Sequence, residues 1–502
     1  MNNHRFLGTH SLAALAGVVA ALLLLAGCGG GSEALIEETT TTTGGSFTST
    51  ITTTLSDPPT CKGLLAPADN QFEEVWVTVT RVRAHTSSTA GPNGAGWVDL
   101  VDLRANPLQI DLLDAPALQC ALATLGSSTG LPAGDYQQIR LHLLSNNPGP
   151  TEATPSPNAC AGTGGFNCVK PVLSNMEILL LNSQDLNGIK IPPGRIVGGA
   201  ISLAAGQTAD INIEFNACDS IILQGNGQFR LKPALTAGEV SVTTDTISGR
   251  VVSTVDGNPL PGIPTILVLF EQEDADGVDR VLVQTLANAT DGTFNVCPLP
   301  EGNYDVVIAA IDGNGVTYNA TITFDVPTGT DLGDIGLEPE SSIDTSPGVI
   351  EGQVTSEDAG GGVEIDVSLS ALQEATRSGA PTPTPVTIPL FGDSTDEITT
   401  LDDPSCPTGT FCANYTLNVP ASNPRVGTFD TLGTTYTAPA TGDILYSVNA
   451  RAFNGGEPNC TDSSITVDND SAANPLKVVA GAANAVTAEA IAFTGCTAVT
   501  TE

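Results

Sequence analysis

Basic residues are scarce in this chain: 17 Lys and Arg stand against 55 Asp and Glu, for a formal net charge of −38. A surface of that sign repels polyphosphate backbones, which excludes nucleic acid as a partner, and it repels anionic lipid headgroups too. Histidine is nearly missing, and beyond the amino-terminal segment only His85 and His142 remain. Most general bases for hydrolysis would have to come from these two. No Gly-x-Ser-x-Gly, His-Glu-x-x-His or phosphate-loop pattern accompanies them. No Cys-x-x-Cys occurs, which disfavours a Cys/His zinc site. Acid pairs such as Glu73 with Glu74, or Asp99 with Asp102, do not converge as glycosidase carboxylates do, because neighbours on a strand point to opposite faces. Aromatic residues make up only 4% of the chain, with two tryptophans, so the ring platforms usual in sugar-binding modules are scarce. Trp76 and Trp97 lie in strand patterns and are expected in the core. The expectation is a protein without catalytic activity; the alternative is a hydrolase, or an accessory subunit, acting on surface polysaccharide.

Long hydrophobic runs are also lacking, with one exception. Residues Ser11 to Leu25 are apolar or small throughout, and Leu25-Ala26-Gly27-Cys28 follows directly. Fifteen residues at about 1.5 Å each fall short of a ~30 Å hydrocarbon core, so residues 1–27 read as a cleaved signal peptide. The Leu-Ala-Gly-Cys string resembles the lipobox of bacterial lipoproteins, which implies lipid attachment at Cys28; the alternative is a plain secretory signal that contains a cysteine. Gly29 rather than Asp follows, which points to the outer membrane, with the protein periplasmic or surface-exposed and touching the membrane only through its anchor. Residues 28–69 open with a Gly/Ser/Thr-rich stretch that cannot bury a core and read as a flexible tether.

With Cys28 acylated, ten cysteines remain, an even number that suits up to five disulfides in an exported protein. Cys160 with Cys168 and Cys406 with Cys412 are close enough to clip short loops, and Cys460 with Cys496 could tie the carboxy-terminal strands. Cys61, Cys120, Cys218 and Cys297 stay unassigned.

Beyond the tether, short alternating strands separated by Gly/Pro turns fill the chain. The region 70–242 carries Val75-Trp76-Val77-Thr78-Val79-Thr80-Arg81-Val82, the Trp97 strand, Leu131-Pro132-Ala133-Gly134-Asp135-Tyr136-Gln137-Gln138-Ile139-Arg140-Leu141, the stretch from Ile213 to Ser220, and Phe229-Arg230-Leu231-Lys232-Pro233. These ordered blocks resemble the bacterial domain of unknown function 4382 (DUF4382), which has no established chemistry and implies no site residue. The region 246–340 carries Ile247-Ser248-Gly249-Arg250-Val251, Asp291-Gly292-Thr293-Phe294 and Leu299-Pro300-Glu301-Gly302-Asn303-Tyr304. It resembles the carboxypeptidase regulatory-like domain, a transthyretin-like sandwich of the carbohydrate-binding-like folds. The region 347–498 reads as a degenerate second copy: Ile350-Glu351-Gly352-Gln353-Val354 repeats the first of these blocks, and an Ala/Pro/Thr-rich insertion interrupts the rest. The expected architecture is all-β: tandem antiparallel β-sandwiches, Ig-like or transthyretin-like, behind a signal peptide and a flexible tether.

One acidic cluster runs from Glu271 to Asp279. Carboxylates around a glycine turn suit a hard cation with oxygen ligands, so Asp274, Asp276 and Asp279 are candidate calcium ligands; the alternative is a solvated acidic hairpin. A glycan or another envelope protein is the candidate partner.

Overall fold

The computed structural model describes residues 49–496, apart from 57–71, 115–122, 182–185, 218–219, 224–226, 232–234, 241–245, 275–276, 297–298, 341–343, 393, 454–459 and 468–475. All of the described residues fall within one compact unit, 47–502. Strands make up its regular structure, with a few short 3-10 turns between them. Cys28 and the signal segment lie outside the described residues.

The first region stacks two sheets around one core. One sheet holds the strands Leu235–Glu239, Thr208–Phe215, Ser49–Ser56 and Ala123–Leu131, in that order. Residues 49–56, expected to belong to the tether, are therefore a strand. Its sequence, Ser-Thr-Ile-Thr-Thr-Thr-Leu-Ser, is poor in large apolar residues, yet Ile51 and Leu55 are both buried. β-branched threonine is stiff at χ1 and favours the extended backbone, so a Thr-rich segment with two apolar anchors can add to a sheet. The strand runs parallel to Thr208–Phe215 and antiparallel to Ala123–Leu131.

The second sheet is organised by the 14-residue strand Phe72–His85. This strand pairs with Gln138–Leu143 and Cys168–Pro171 along one edge and with Val98–Asp102 and Leu108–Asp111 along the other. Val75, Val77 and Val79 enter the core; after a register shift between Val79 and Arg81 the inward positions become Val82 and Ala84. An irregularity of this kind reverses which face a residue meets, and it turns Arg81 and Arg83 away from the core.

The second and third regions repeat one layout. In the second, Ile247–Ser253 lies antiparallel to Thr293–Val296 and parallel to Thr330–Leu337; in the third, Gly348–Asp358 lies antiparallel to Phe411–Val419 and parallel to Val486–Thr487 and Ile491–Phe493. Facing these outer strands is a run of four paired strands in each region: Asp279–Leu286, Thr265–Glu273, Asn303–Ile311, Thr317–Pro327 in one, and Thr384–Thr387, Asp366–Ala375, Leu445–Phe453, Ser464–Val467 in the other, where Glu397–Thr399 and Leu476–Lys477 pair alongside. In the second region Gly292 (φ +76°) closes the tight turn before Thr293–Val296; a Cβ there would run into the Val251 carbonyl.

These two inner sheets are one. Asp279 on Asp279–Leu286 pairs with Val386 on Thr384–Thr387, and the insertion of the third region supplies Arg425–Thr428, which pairs in parallel with Thr317–Pro327. Both edges of the second region's inner sheet are thereby covered by strands from the third, which removes the exposed edges that invite aggregation. Each face of that sheet is buried as well. Ile266, Val268, Phe270, Val306 and Ile308 pack inside the second region. Leu267, Leu269, Val307, Ala309, Ile322 and Phe324 pack against the third. The unbroken apolar runs Ile266 to Phe270 and Val306 to Ala310 follow from this double burial.

Candidate functional site

The first polar cluster grows from the register shift in Phe72–His85. Across the strands Asp99 stands opposite Arg83, which stands opposite Arg140, which stands opposite Lys190. In the neighbouring row Asp102 faces Arg81, and Arg81 faces His142. Arg104 forms a two-pronged pair with Asp102, its Nε 2.9 Å from Oδ1 and its Nη2 2.6 Å from Oδ2. That pair lowers the Asp102 carboxyl to about 2. Burial, reinforced by the surrounding arginines, lowers His142 to about 3, so its ring is neutral at physiological pH.

Trp97 lies over this row, with its ring centroid 4.8 Å from the Arg83 guanidinium carbon and 5.5 Å from that of Arg140. Its indole N–H donates to the Gly91 carbonyl. His85 meets it edge-on at 5.2 Å; the His85 Nδ1 accepts from the Ser87 N–H, so Nε2 is the donor to the Ala95 carbonyl, at 3.0 Å. Both tryptophans are half-buried rather than core residues, and Trp76 donates to Glu74. Trp76 alternates with the buried Val75 and Val77 and so lies on the opposite face of its strand, whereas Trp97 immediately precedes the strand Val98–Asp102. His85 is the buried last residue of its strand, and His142 is buried within a paired strand.

The second cluster lies where the second and third regions join. Glu271 and Asp279 belong to paired strands rather than to an exposed loop, and both are fully buried. Glu271 stands directly opposite the buried Asp305. Its Oε2 accepts from the Thr387 N–H, while Asp305 Oδ2 accepts from Arg377 Nη2 at 2.8 Å. Burial raises all three carboxyls, with Asp279 reaching about 8 and Glu271 held well above the usual range. Charge on Asp279 and Asp305 raises Glu271 further and Asp305 raises Asp279, while a hydrogen bond from Asp279 favours the charged form of Asp305.

Among the candidate calcium ligands, Asp274 is engaged by Arg280, whose Nε is 2.8 Å from Oδ2, and accepts the Val278 N–H. Asp279 belongs to the buried carboxyl cluster, and Asp276 lies outside the described residues. The pairing of Thr265–Glu273 with Asp279–Leu286 thus carries Asp274 and Asp279 to different partners. Among the described residues, no group of three or more His, Cys, Asp or Glu is arranged to hold a metal ion.

Four further arginines bridge the regions, and an acidic chain gives them many partners. Arg230 of the first region meets Asp366 of the third at 2.6 Å. Arg280 of the second donates to Asn449 of the third. Arg377 of the third meets Asp305 and Asp325 of the second, and Arg425 of the third donates to the Gly336 carbonyl of the second. Bulky, always-charged guanidiniums with several donors suit such junctions. Among the described residues three disulfides are present, Cys160–Cys168, Cys406–Cys412 and Cys460–Cys496. Cys61, Cys120, Cys218 and Cys297 lie outside the described residues. No described helix is long and apolar enough to cross a membrane.

Residues 48–233 match the family described as domain of unknown function (DUF4382), so the strand Ser49–Ser56 lies within the matched segment. No curated protein matches the sequence. Among solved structures, the Bacillus anthracis TIE protein is 9% identical, over 89% of this chain and 49% of its own, with a TM-score of 0.16. The chain therefore spans about half the length of that protein. The Streptococcal ancillary pilin is 10% identical, over 88% of this chain and 98% of its own, with a TM-score of 0.16. The shaft pilin SpaA of Lactobacillus rhamnosus GG is 10% identical, over 50% of this chain and 98% of its own, with a TM-score of 0.14.

Proposed function

We propose that the chain is a lipid-anchored protein of the bacterial envelope that works by binding or bracing rather than by catalysis. It is held by acylated Cys28 at the outer membrane and presents its three β regions as one rigid body to a glycan or an envelope protein. The observation that carries this reading is the fusion of the regions. A shared sheet and the junction arginines Arg230, Arg280, Arg377 and Arg425 make a body able to hold a surface at a fixed orientation. An enzyme of several domains more often keeps movable interfaces around its cleft. The acyl chains supply about 0.8 kcal/mol per buried CH₂, so two or three chains hold the anchor without help from an acidic surface that anionic lipid repels.

The test is mass spectrometry of the amino-terminal peptide together with fractionation of cells expressing the full chain. The reading expects diacylglyceryl-modified Cys28 in the outer-membrane fraction and release of Cys28→Ser from it. An unmodified Cys28 in a protein recovered free of membranes would overturn it.

A further inference from the structure

In a chain with 55 acidic and 17 basic residues, Arg81, Arg83 and Arg140 share one face of one sheet, and Arg104, in the turn after Val98–Asp102, reaches Asp99 and Asp102 beside them. Arg83 and Arg140 stand directly opposite each other on paired strands, an arrangement that costs stability when nothing lies between like charges. Asp99 sits among three of these arginines: 3.6 Å from Arg83 Nε, 3.7 Å from Arg104 Nη2 and 4.0 Å from Arg81 Nε. All three distances exceed hydrogen-bond length, so Asp99 hydrogen-bonds none of the three; Arg104 is held instead by its two-pronged pair with Asp102, and Arg83 Nη1 donates to the Pro92 carbonyl. The Nε atoms of both Arg81 and Arg83 are buried and lack a hydrogen-bond acceptor. Buried donors left in this state cost about 1–3 kcal/mol each.

The cluster also reaches solvent. The Arg104 side chain is 57% exposed and that of Asp99 is 37% exposed, while Trp97 beside them is half-buried. Arg81 and Arg83 reach the same surface only in part, at 20% and 15% exposure, so Arg104 is the open end of a row of guanidiniums flanked by an indole; this is a shallow edge rather than an enclosed cleft of the kind that takes small ligands. Against the net charge of −38, this cluster gathers four arginines around two aspartates, Asp99 and Asp102.

We propose that this strip, Arg81, Arg83 and Arg104 around Asp99 with Trp97 alongside, is a binding site for an acidic glycan. Carboxylate or sulfate groups on the sugar would pair with the guanidiniums and a ring would pack on the exposed part of the indole. Guanidinium forks match planar or trigonal oxyanions through paired N–H donors, and an incoming anion balances the positive charge that Asp99 and Asp102 leave in excess. The proposal deepens the binding half of the reading above and is independent of the anchor.

The test is titration of the full chain carrying Cys28→Ser with polygalacturonate, dextran sulfate, neutral dextran and polyphosphate, followed by calorimetry and tryptophan fluorescence. Binding of either acidic polysaccharide, weakened by salt, with no binding of neutral dextran, is expected. Arg104→Gln, at an exposed position, and Arg81→Gln should each weaken it about tenfold or more, and Trp97→Phe should reduce it. Arg250→Gln, which removes an exposed pair with Asp334 far along the chain, should leave it unchanged. Thermal melts of each variant verify folding; Arg104→Gln remains decisive if Arg81→Gln fails to fold. No binding of either acidic glycan, binding unaffected by Arg104→Gln, or tighter binding of polyphosphate than of both would overturn the proposal. Loss of the site with Cys28 still lipidated removes only this inference. Glycan binding by a protein whose Cys28 is never lipidated removes only the anchor.

Discussion

Arg230, on the strand Phe229–Leu231 of the first region, donates to Asp366 at the start of Asp366–Ala375 in the third, 2.6 Å away across 136 residues of sequence. Both side chains are nearly closed to solvent, and Thr399 supplies a further hydrogen bond to the same Asp366 oxygen. Removing one member of such a pair strands the other charge in a low-dielectric junction, at a cost of about 3–5 kcal/mol. Asp366→Ala is therefore expected to lower the thermal midpoint by more than any exposed Asp→Ala, and to split a single calorimetric transition into two. An unchanged single transition would mean that the first region unfolds with the rest for other reasons.

The carboxyl cluster at the second junction gives a pH dependence with a definite sign. Asp279 is raised from 3.8 to about 8, with Glu271 and Asp305 raised alongside, so the folded protein holds protons that the unfolded chain releases. Stability from these groups is fully present below their unfolded values and is lost as pH climbs towards about 8. The charges facing them are Arg377, Arg280, Asp325 and Glu273. Melting temperature is expected to fall between pH 6 and pH 9. Asp279→Asn should flatten that fall and be more stable than wild type at pH 9. A melting temperature that rises over this interval in the wild type only would contradict the assignment.

The disulfides differ in the length of chain they close. Cys460–Cys496 spans 36 residues and Cys406–Cys412 spans 6, so chain entropy assigns about 4 kcal/mol to the first and about 2 kcal/mol to the second. Denaturant titration of Cys460→Ala/Cys496→Ala should show roughly twice the loss seen for Cys406→Ala/Cys412→Ala. Equal losses would indicate that strain or residual structure dominates.

A tyrosine hydroxyl locks a turn in each region. Tyr136 donates to the Pro132 carbonyl and Tyr304 to the Pro300 carbonyl, both within Leu-Pro-x-Gly-x-Tyr. In the third region Tyr446 reaches the carbonyl of Pro420 instead. Tyr304→Phe should cost about 1 kcal/mol from the lost bond, more if the carbonyl stays buried without a donor. Tyr446→Phe should additionally loosen the 420–445 insertion, detectable as faster amide exchange in Arg425–Thr428. A Tyr446→Phe protein that exchanges like wild type there would show that other contacts hold the insertion.

Much of this architecture is written locally. Leu-Pro-x-Gly-x-Tyr and Asp291-Gly292 specify turns by backbone chemistry alone, and the apolar run Ile266 to Phe270 signals a strand buried on both faces. The joining of two regions into one sheet is not local: it rests on a single paired position, Asp279 with Val386, and on an insertion whose Ala/Pro/Thr composition gives no strand signal. The Arg–Trp strip was hidden for a related reason. Arg81 and Arg83 continue the alternation of Val75, Val77 and Val79, and only the register shift after Val79 turns them outward. Asp279 misled in the opposite direction, because a carboxylate beside Gly277 reads as solvent-facing until its strand partners are known.

Amide hydrogen exchange on the full chain decides whether the three regions form a single rigid body. Thr265–Glu273 and Asp366–Ala375 are expected to open with the same free energy, and Asp366→Ala to lower both together with Phe229–Leu231. Separate opening energies for the two strands, with Asp366→Ala affecting only its own region, would show independent modules on a string instead.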